Sequence, residues 1–469
     1  MQIGRKDVFW NYAATFFQIG AGVILLPFIL RVFPRETVAI WTIFSTITSL
    51  NSMFDFGFNP SFARNVSYVV SGVKELKKTG FQIVENSNNE IDYGLFKGVI
   101  DAMRWFYGRI ALILFVFLIT VGTYYINTIL KSYPYSHLEV YLSYAVLCII
   151  NSYSLYTLYY DSLMQGQGFV KKAKQIQMTG QVIYLLIASI LILLKVNLIA
   201  IVSAQALSII VRRTLSYKTI FTTEFKYQLQ NAIAKSRKDI LKIIYPNATK
   251  LGLNGIAAFL TLRSSLFIGS LYISLNMIAS YGITMQIIGI ISSIASVYFN
   301  TYLPKISQQR IQNDIAGIKN HYLKACLFAF LTYLTIGLSF VLLGDWALKL
   351  IKSQTHLLPK YLIVIALFVS FYENFVSLNS FIVLSKNKVS FFKISLIVGV
   401  LTLILLFVFF RFISVGVLGM IIIPCIAECL HWVWISETIK ELKIKYNDVY
   451  HSCVQIKNVY LWSISKIIH

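Results

Sequence analysis

The sequence is poor in charged residues, and acidic residues are especially scarce. Only 13% of its 469 residues are charged, 19 Asp and Glu stand against 42 Lys and Arg, and 57% of the residues are apolar. A water-soluble core does not need so much apolar surface, so a soluble fold is excluded. The net charge of +23 is distributed between long apolar runs instead of gathering in one domain, which argues against nucleic acid as a partner.

The motifs of several kinds of site are also missing. The sequence contains no G-x-x-x-x-G-K-[ST] phosphate-binding loop, so direct use of ATP is not expected. It has no cluster of nucleophile, base and orienting acid. The cysteines lack the paired spacing of metal ligands and are predicted to be small packing residues: Cys148, Cys326, Cys425, Cys429 and Cys453. We therefore expect no enzymatic activity, no cofactor and no metal.

Long apolar runs dominate the chain. A membrane helix needs about 20 mostly apolar residues, and on this criterion the sequence predicts an all-α polytopic membrane protein with about twelve spans. The first run is predicted to stay as a helix, because no small-residue cleavage site follows it. The spans are placed near 8–30, 37–58, 108–127, 138–160, 177–194, 197–219, 250–274, 276–300, 321–343, 358–384, 389–410 and 413–438.

The longest basic loop divides the spans into two sets of six. We predict an N-terminal six-helix bundle over 1–220, a basic cytoplasmic linker over 221–249, a C-terminal six-helix bundle over 250–438 and a cytoplasmic tail over 439–469. The second and the eighth spans both end in an Asn and a Pro that lead into a basic loop. This similarity suggests an internal repeat, which is common in secondary transporters.

The distribution of basic residues predicts the orientation. If the N-terminus is cytoplasmic, 33 of the 42 Lys and Arg residues lie in inside segments, 8 lie outside and one, Arg263, lies within a span. Inside loops of helical membrane proteins are enriched in Lys and Arg. Both termini are therefore predicted to be cytoplasmic.

Polar residues recur at steps of three and four on several spans, so they share one helix face. That face packs against other helices or lines a hydrated cavity, because lipid cannot satisfy polar groups. Stripes from both halves, two of them with a carboxylate, favour a cavity. The stripes are Asn11, Thr15, Gln18 and Gly22; Thr48, Ser52, Asp55 and Asn59; Gln286, Gly289, Ser293, Ser296 and Asn300; and Ser370, Glu373, Ser377 and Ser380.

Charged residues within spans are costly and are candidates for function by default. Arg263 could bind a phosphate or pyrophosphate through its planar fork of donors, or it could form a buried salt bridge with a carboxylate. Glu373 and Glu428 could bind a proton or Na⁺, and His431, one turn after Glu428, could share the proton. A fixed hydrogen bond between helices is the alternative for Glu428.

Aromatic residues give a further candidate. Tyr153, Tyr156 and Tyr160 lie on one face of the fourth span near its inner end. Tyrosine rings can stack against sugars, but they also form the aromatic belt at the membrane interface. Both interpretations remain open.

One stretch resembles a known family. The segments VFWNYAATFFQIGAGVILLPFILRVFP and WTIFSTITSLNSMFDFGFNPSFARNVSYVVSG, within residues 8–72, are similar to the start of O-antigen (Wzx-type) polysaccharide flippases. These belong to the multidrug/oligosaccharidyl-lipid/polysaccharide exporter (MOP) superfamily. The most specific element is Asp55-Phe56-Gly57-Phe58 followed by Arg64-Asn65. The resemblance implies two six-helix bundles around a cationic cavity, in which Arg263 is the basic residue at central depth.

The resemblance also implies a function. It implies movement of an undecaprenyl-pyrophosphate-linked oligosaccharide from the cytoplasmic to the periplasmic leaflet of a bacterial inner membrane, by alternating access. Expected partners are this lipid-linked oligosaccharide, the bilayer, a polysaccharide polymerase and a chain-length regulator. The predicted substrate-binding residues are Asp55, Asn59, Arg64, Tyr153, Tyr156, Arg263, Ser296 and Asn300, and the predicted ion-coupling residues are Glu373, Glu428 and His431.

Two other functions would require different features of the chain. A cation-coupled multidrug exporter of the same fold would use the acidic residues to bind drug cations or the coupling ion. A membrane-embedded glycan polymerase would need large outer loops with reactive residues, and the longest outer loops, near 131–137 and 345–360, are short.

Overall fold

Helices form every regular element of the part of the chain that the structure describes. The computed structural model describes residues 17, 20, 22–76, 91–384, 391–413 and 415–444. Most of the predicted first span and the tail beyond residue 444 lie outside these ranges. The helices up to the predicted linker are α1 (Gly22–Val32), α2 (Arg35–Thr48), α3 (Leu50–Phe54), α4 (Phe58–Val70), α5 (Tyr93–Phe117), α6 (Thr123–Leu130), α7 (His137–Tyr156), α8 (Tyr159–Gly166), α9 (Val170–Leu193) and α10 (Leu198–Ile220).

The remaining helices run from the predicted linker to the last described residues. They are α11 (Thr223–Asn231), α12 (Arg237–Tyr272), α13 (Leu275–Ala295), α14 (Val297–Ile311), α15 (Ile315–Thr332), α16 (Leu338–Leu350), α17 (Lys360–Leu384), α18 (Phe392–Phe412), α19 (Gly416–Glu428) and α20 (Trp432–Glu441).

Ten helical segments of the described ranges are long and apolar enough to cross a membrane. They follow, in order, the third to the twelfth predicted spans, which confirms an all-α polytopic membrane protein. Their outer faces are apolar: on α9, the exposed fractions of Leu186, Ile190 and Leu193 are 58%, 56% and 64%. Such faces suit lipid, because the backbone polar groups are already paired within each helix.

The predicted second span is interrupted near its inner end. Helix α3 ends at Phe54, and α4 begins at Phe58. Between them, Phe56 and Gly57 adopt φ values of 49° and 66°, a conformation that favours glycine. A Cβ atom on Gly57 would lie 2.5 Å from the Cβ atom of Leu251. The glycine of the Asp-Phe-Gly-Phe element therefore allows both the turn and close contact with α12.

The described part of the chain contains two segments of π-helix, at matching places in the two halves. The first, Leu118–Gly122, joins α5 to α6, and the second, Tyr333–Gly337, joins α15 to α16. They lie in the third and ninth spans, and their sequences, LITVG and YLTIG, share the Thr and Gly positions. These shared features favour the predicted internal repeat.

The chain divides into two compact units. The first extends to Phe259 and also includes Ser274–Asn276 and Ile351–Thr355; the second contains Leu260–Ile273, Met277–Leu350 and the chain from His356 onward. The first unit has an aromatic core in which Phe58 stacks on Phe106 with 3.8 Å between ring centroids. The second has a core of Phe299, Ile306, Ile318, Tyr322 and Ile382, among others.

The region predicted as a linker, 221–249, is mostly helical and is part of the first unit, where it packs against α5. It contains α11 and the start of α12. The backbone N–H of Lys235 donates to the carbonyl oxygen of Gly94 over 3.1 Å, and Lys97 Nζ donates to that of Ala232 over 2.9 Å. Cβ atoms on Gly94 and Gly98 would lie 2.6 Å from carbonyl oxygens of this region. The two glycines, one helical turn apart, let it lie directly on α5.

Candidate functional site

Asp55 is at the centre of a hydrogen-bond network in the first unit. Its exposed fraction is 8%. Its Oδ1 atom accepts a hydrogen bond of 2.6 Å from the hydroxyl of Tyr107, and the backbone N–H of Asn59 donates to Oδ1 and Oδ2 over 3.1 and 3.3 Å. The carboxylate thus satisfies an amide in the first turn of α4, where negative charge is favourable. These contacts explain how Asp55 is held, and its contact with a substrate remains a prediction.

The network continues through Asn59 to α8. Ser162 Oγ is 2.6 Å from the side-chain oxygen of Asn59 and 3.1 Å from its carbonyl oxygen. Near it on α8, Asp161 forms an ion pair of 2.8 Å with Arg213 of α10. The structure therefore brings Asp55 and Asn59 together, whereas Arg64 lies further along α4 with its side chain exposed.

Tyr153 and Tyr156 lie at the end of α7 with exposed fractions of 36% and 39%. The Tyr156 ring contacts that of Tyr159 edge-on, with 6.2 Å between centroids. Arg104 Nε donates to the Tyr159 hydroxyl over 3.4 Å. These tyrosines are part of an aromatic and cationic cluster, which is compatible with both an interfacial belt and sugar stacking.

In the second unit, Arg263 lies on α12 within a predicted span, and its side chain is exposed. Its charge interacts through space with that of Glu373 on α17, and Glu373 interacts in the same way with Glu428 on α19. The ion pairs found in the described part of the chain include none of these three residues. The direct salt bridge considered for Arg263 is thus not formed in this structure, although its charge and that of Glu373 are close enough to interact.

Ser296 takes part in hydrogen bonds between helices. Asn374 Nδ2 donates to Ser296 Oγ over 2.9 Å and to Ser292 Oγ over 3.2 Å, so α17 is tied to the junction of α13 and α14. This geometry is that of a packing contact. Asn300, one turn later, is exposed.

Glu428 and His431 lie in a buried region, with exposed fractions of 5% and 7%. Within the described ranges, Glu428 Oε2 has no hydrogen-bond partner. His431 Nδ1 accepts a hydrogen bond of 2.9 Å from the Trp434 indole. The indole can only donate, so Nδ1 carries no proton in this arrangement. Proton sharing with Glu428 would use Nε2, and it remains a prediction.

Outside the spans, Asp92 at the start of α5 is held by an ion pair. Its carboxylate lies 2.8 Å from Lys235 Nζ and accepts a hydrogen bond of 2.8 Å from the backbone N–H of Leu95. Partial burial raises the pKa of Asp92, but the hydrogen bonds and the charge of Lys235 outweigh this effect, so the pKa lies below its ordinary value.

Several residues of these networks were not predicted from the sequence. Tyr107, Ser162 and Asn374 are the donors that position the predicted residues, and their partners are 52, 103 and 78 residues away in the chain. A buried tyrosine hydroxyl usually has a hydrogen-bond partner. A tyrosine in an apolar run, such as Tyr107, is therefore expected to form a hydrogen bond with some residue of the protein. No local pattern indicates which residue that partner is.

Comparison with solved structures identifies the fold. The lipid II flippase MurJ in an inward closed conformation superposes with a TM-score of 0.63 and 15% identity, covering 96% of this chain and 92% of that one. An inward-facing multidrug resistance MATE family transporter of the MOP superfamily gives a TM-score of 0.58 and 17% identity. This match covers 92% of this chain and 95% of that one. The chain has the MOP-superfamily transporter fold.

A third MOP structure gives a TM-score of 0.53 at 15% identity and covers 94% of this chain and 95% of that one. It is a transporter from Pyrococcus furiosus that is described as having a binding pocket of reversed polarity. No family model matches the sequence, and no curated protein matches it. At identities this low, the MOP comparison establishes the fold, and the substrate must be argued from residues.

Proposed function

We propose that this chain is a flippase that moves an undecaprenyl-pyrophosphate-linked oligosaccharide, such as an O-antigen or capsule repeat unit, from the cytoplasmic to the periplasmic leaflet. The observation that carries the proposal is Arg263, an exposed guanidinium on a span of a chain that shares its fold with a lipid II flippase. A guanidinium at this depth is costly without a partner, and a pyrophosphate matches its fork of donors.

The physical requirement of such a reaction agrees with the polar faces of the spans. A glycan that enters hydrocarbon loses its hydrogen bonds to water, at a cost of about 2 to 7 kcal/mol for each unpaired group. Exposed polar residues on apolar helices, such as Ser293 and Ser377, can replace some of these bonds. The polyprenyl tail is itself apolar and can stay in the lipid.

The test of this proposal uses Arg263 and a matched arginine. In a host that depends on this gene for a surface glycan, we expect Arg263→Ala to reduce surface display about tenfold or more, because a hydrogen bond to a charged group contributes about 1.5 to 3 kcal/mol. Arg263→Lys should restore display in part, because an ammonium keeps the charge and loses the fork. Arg411→Ala, at an exposed site near the end of α18, should leave display unchanged.

A purely structural role for Arg263 gives a different result. If Arg263 mainly balances the charge of Glu373, Arg263→Ala should lower protein abundance, and adding Glu373→Gln should restore both abundance and display. That outcome would contradict the substrate-binding role. Abundance and display are therefore measured together in the single and double variants.

A second candidate function is cation-coupled export of drugs or other small molecules. It is favoured by the two neighbouring carboxylates in the second unit, Glu373 and Glu428, and by the similarity to a multidrug resistance transporter. Carboxylates of this kind could bind a drug cation, a proton or Na⁺. This function predicts that deletion of the gene increases drug sensitivity and leaves the surface glycan intact, which is the reverse of the flippase result.

The cellular setting follows from the proposed flippase. We place the chain in a bacterial inner membrane with both termini cytoplasmic, where the lipid-linked substrate is made. A polysaccharide polymerase and a chain-length regulator are proposed as partners, since a translocated repeat unit must next be joined to others.

A further inference from the structure

A cavity in the first unit is separate from Arg263 and the carboxylates of the second. Its volume is about 510 Å³, and it is lined by residues of α4, α8, α9 and α10. Three basic side chains face it, Lys174, Arg212 and Arg213, together with the carboxylate of Asp161. With three positive side chains and one negative side chain, the lining of the cavity has a net charge of +2.

The two arginines of this cavity have different surroundings. Arg213, with an exposed fraction of 4%, forms the 2.8 Å ion pair with Asp161 and also donates to the carbonyl oxygen of Ser154 over 3.4 Å. The guanidinium of Arg212 forms no hydrogen bond or ion pair with the described residues, and the positive charge of Arg213 acts on it. Arg213 is therefore a neutralised structural residue, whereas Arg212 is free to bind an anion.

A glycine positions Arg212. A Cβ atom on Gly180 would lie 2.2 Å from Cδ and 2.3 Å from Cγ of Arg212, so the arginine stem crosses α9 where a side chain is missing. The carbonyl oxygen of Gly180 accepts a hydrogen bond of 2.7 Å from Ser208, which joins α9 to α10 at this level. The guanidinium is thereby placed at the cavity wall before a ligand arrives.

Lys174 supplies the second uncompensated charge. Its Nζ atom lies 3.5 Å from the side-chain oxygen of Gln177, its neighbour one turn along α9. The charge of Asp161 acts on both Lys174 and Arg212, so all these groups lie within electrostatic range of one carboxylate. Amide side chains of Asn59 and Gln177 add neutral donors to the wall. Such a wall is complementary to a small anion with several acceptor oxygens.

The depth of the two cations suits a phosphate at the membrane surface. Lys174 is four residues from the start of α9 and Arg212 eight residues from the end of α10, which correspond to about 6 and 12 Å along the helices. These ends are the ones predicted to face the cytoplasm. Basic cavities between helices on this side of a membrane bind lipid phosphate groups.

We propose that this cavity is a binding site for a phosphate group with one or two negative charges, held chiefly by Arg212 and Lys174. The phosphate can belong to an anionic phospholipid of the inner leaflet or to a soluble phosphate, and its chemistry is the same in both cases. The site does not depend on the proposed function. Its occupancy would stabilise the packing of α9 on α10, because one anion would offset the positive charges of Lys174 on α9 and Arg212 on α10.

The test uses the purified full-length protein and two sets of probes. Thermal unfolding is followed in detergent with added inorganic phosphate or pyrophosphate, and in nanodiscs of phosphatidylcholine with or without phosphatidylglycerol or cardiolipin. We expect at least one set to raise the melting temperature. The double variant Lys174→Gln/Arg212→Gln should lose that increase and weaken binding tenfold or more.

The matched control removes the same charge from the same two helices. The double variant Lys171→Gln/Lys218→Gln changes basic residues of α9 and α10 that do not line the cavity, and it should respond to the probes as the wild type does. Gly180→Ala should also weaken binding, although every charge is kept, because the new methyl group displaces the Arg212 stem. Arg212→Lys tests the charge if the Gln variants do not fold, and it should retain weaker binding.

The outcomes are distinct. A response to phospholipid alone assigns the phosphate to a lipid, and a response to inorganic phosphate or pyrophosphate assigns it to a soluble ligand. The proposal is wrong if no probe stabilises the wild type, or if the cavity and control variants lose the response equally. Loss of glycan transport in the Arg263 variants bears only on the proposed function, so the two proposals fail independently.

Discussion

At the scale of single residues, Asp55 is held by donors from two helices. Tyr107 donates over 2.6 Å and the amide of Asn59 over 3.1 Å, and all three groups are at least partly buried. Because the Asp55 carboxylate holds the turn between α3 and α4, a change in its partners should be detected first as a loss of stability.

We predict that Tyr107→Phe lowers the free energy of unfolding by about 1 to 3 kcal/mol, since it leaves a buried carboxylate with one donor fewer. Thermal unfolding in detergent measures this change. The control is Tyr124→Phe, because Tyr124 has an exposed fraction of 77% and should tolerate the change. Equal stability of both variants would show that the Tyr107 hydroxyl does not support Asp55.

Asp92 gives a pH-dependent prediction. Its pKa in the folded protein lies below the ordinary value of 3.8, so its ionised form stabilises the fold above that pH, and this contribution is lost as the pH falls through the folded pKa. The Lys235 side chain is 44% exposed, so we expect an effect of about 1 kcal/mol or less.

The measurement compares the wild type with Asp92→Asn, which keeps a capping acceptor and removes the charge. The difference in melting temperature should be constant from pH 7 to pH 5 and should shrink below about pH 4. Glu224→Gln, an exposed change on α11, should show no such trend. A difference that grows on acidification would contradict the assigned ion pair.

At the scale of helices, the two π-helical segments are each held by a tyrosine. The hydroxyl of Tyr144 on α7 donates to the carbonyl oxygen of Leu118 over 2.7 Å. In the second half, the hydroxyl of Tyr333 is 2.8 Å from Ser370 Oγ on α17. A π-helical turn frees backbone groups from their usual partners, and in the first half a tyrosine hydroxyl satisfies one of them.

Gly122 makes room for that hydroxyl, and this gives a prediction. A Cβ atom on Gly122 would lie 2.1 Å from the Tyr144 hydroxyl oxygen. Gly122→Ala should therefore break the hydrogen bond to Leu118 and destabilise the protein by about 1 to 3 kcal/mol. Gly289→Ala is the control, because a Cβ atom there meets no atom within 4 Å, and it should be neutral or slightly stabilising. If Gly122→Ala unfolds at the wild-type temperature, the π-helical segment does not need this contact.

The sequence predicts the helices better than it predicts their interruptions. The ten described spans follow from apolar length alone, because the cost of burying polar groups in lipid is large and local. The sequence does not predict the turn at Phe56 and Gly57, because the turn is stabilised by Tyr107 and by contact with Leu251, both far away in the chain. The sequence also does not predict how residues 232–235 pack on α5, because this packing depends on Gly94 and Gly98, which are far away in the chain.

The candidate site was predictable only in part. Asp55, Arg263, Glu373 and Glu428 can be identified from the sequence as candidate functional residues, because charged residues are rare in apolar runs. The sequence does not predict the cavity around Arg212, because Lys174, Arg212 and Arg213 contribute to its pattern only as basic residues of the inside segments. Their convergence depends on the packing of α9 against α10, which the spacing of basic residues does not encode.

At the scale of the whole molecule, the orientation is a prediction from the 33 inside and 8 outside basic residues. A cysteine at Tyr227, which is 63% exposed on α11, should react with a thiol reagent only from the cytoplasmic side. A cysteine at Tyr135, which is 48% exposed between α6 and α7, should react only from outside. The opposite pattern would invert the proposed topology and with it the direction of transport.

The most direct test of the central claim is a transport measurement with the purified protein in vesicles. A fluorescent undecaprenyl-pyrophosphate-linked oligosaccharide is placed in both leaflets, and its accessibility to an impermeant quencher is followed over time. The proposed function predicts that the protein moves the lipid between leaflets faster than protein-free vesicles do, and that Arg263→Ala slows this movement while Arg411→Ala does not. Movement no faster than in protein-free vesicles, together with transport of a drug cation, would contradict the account and favour the exporter.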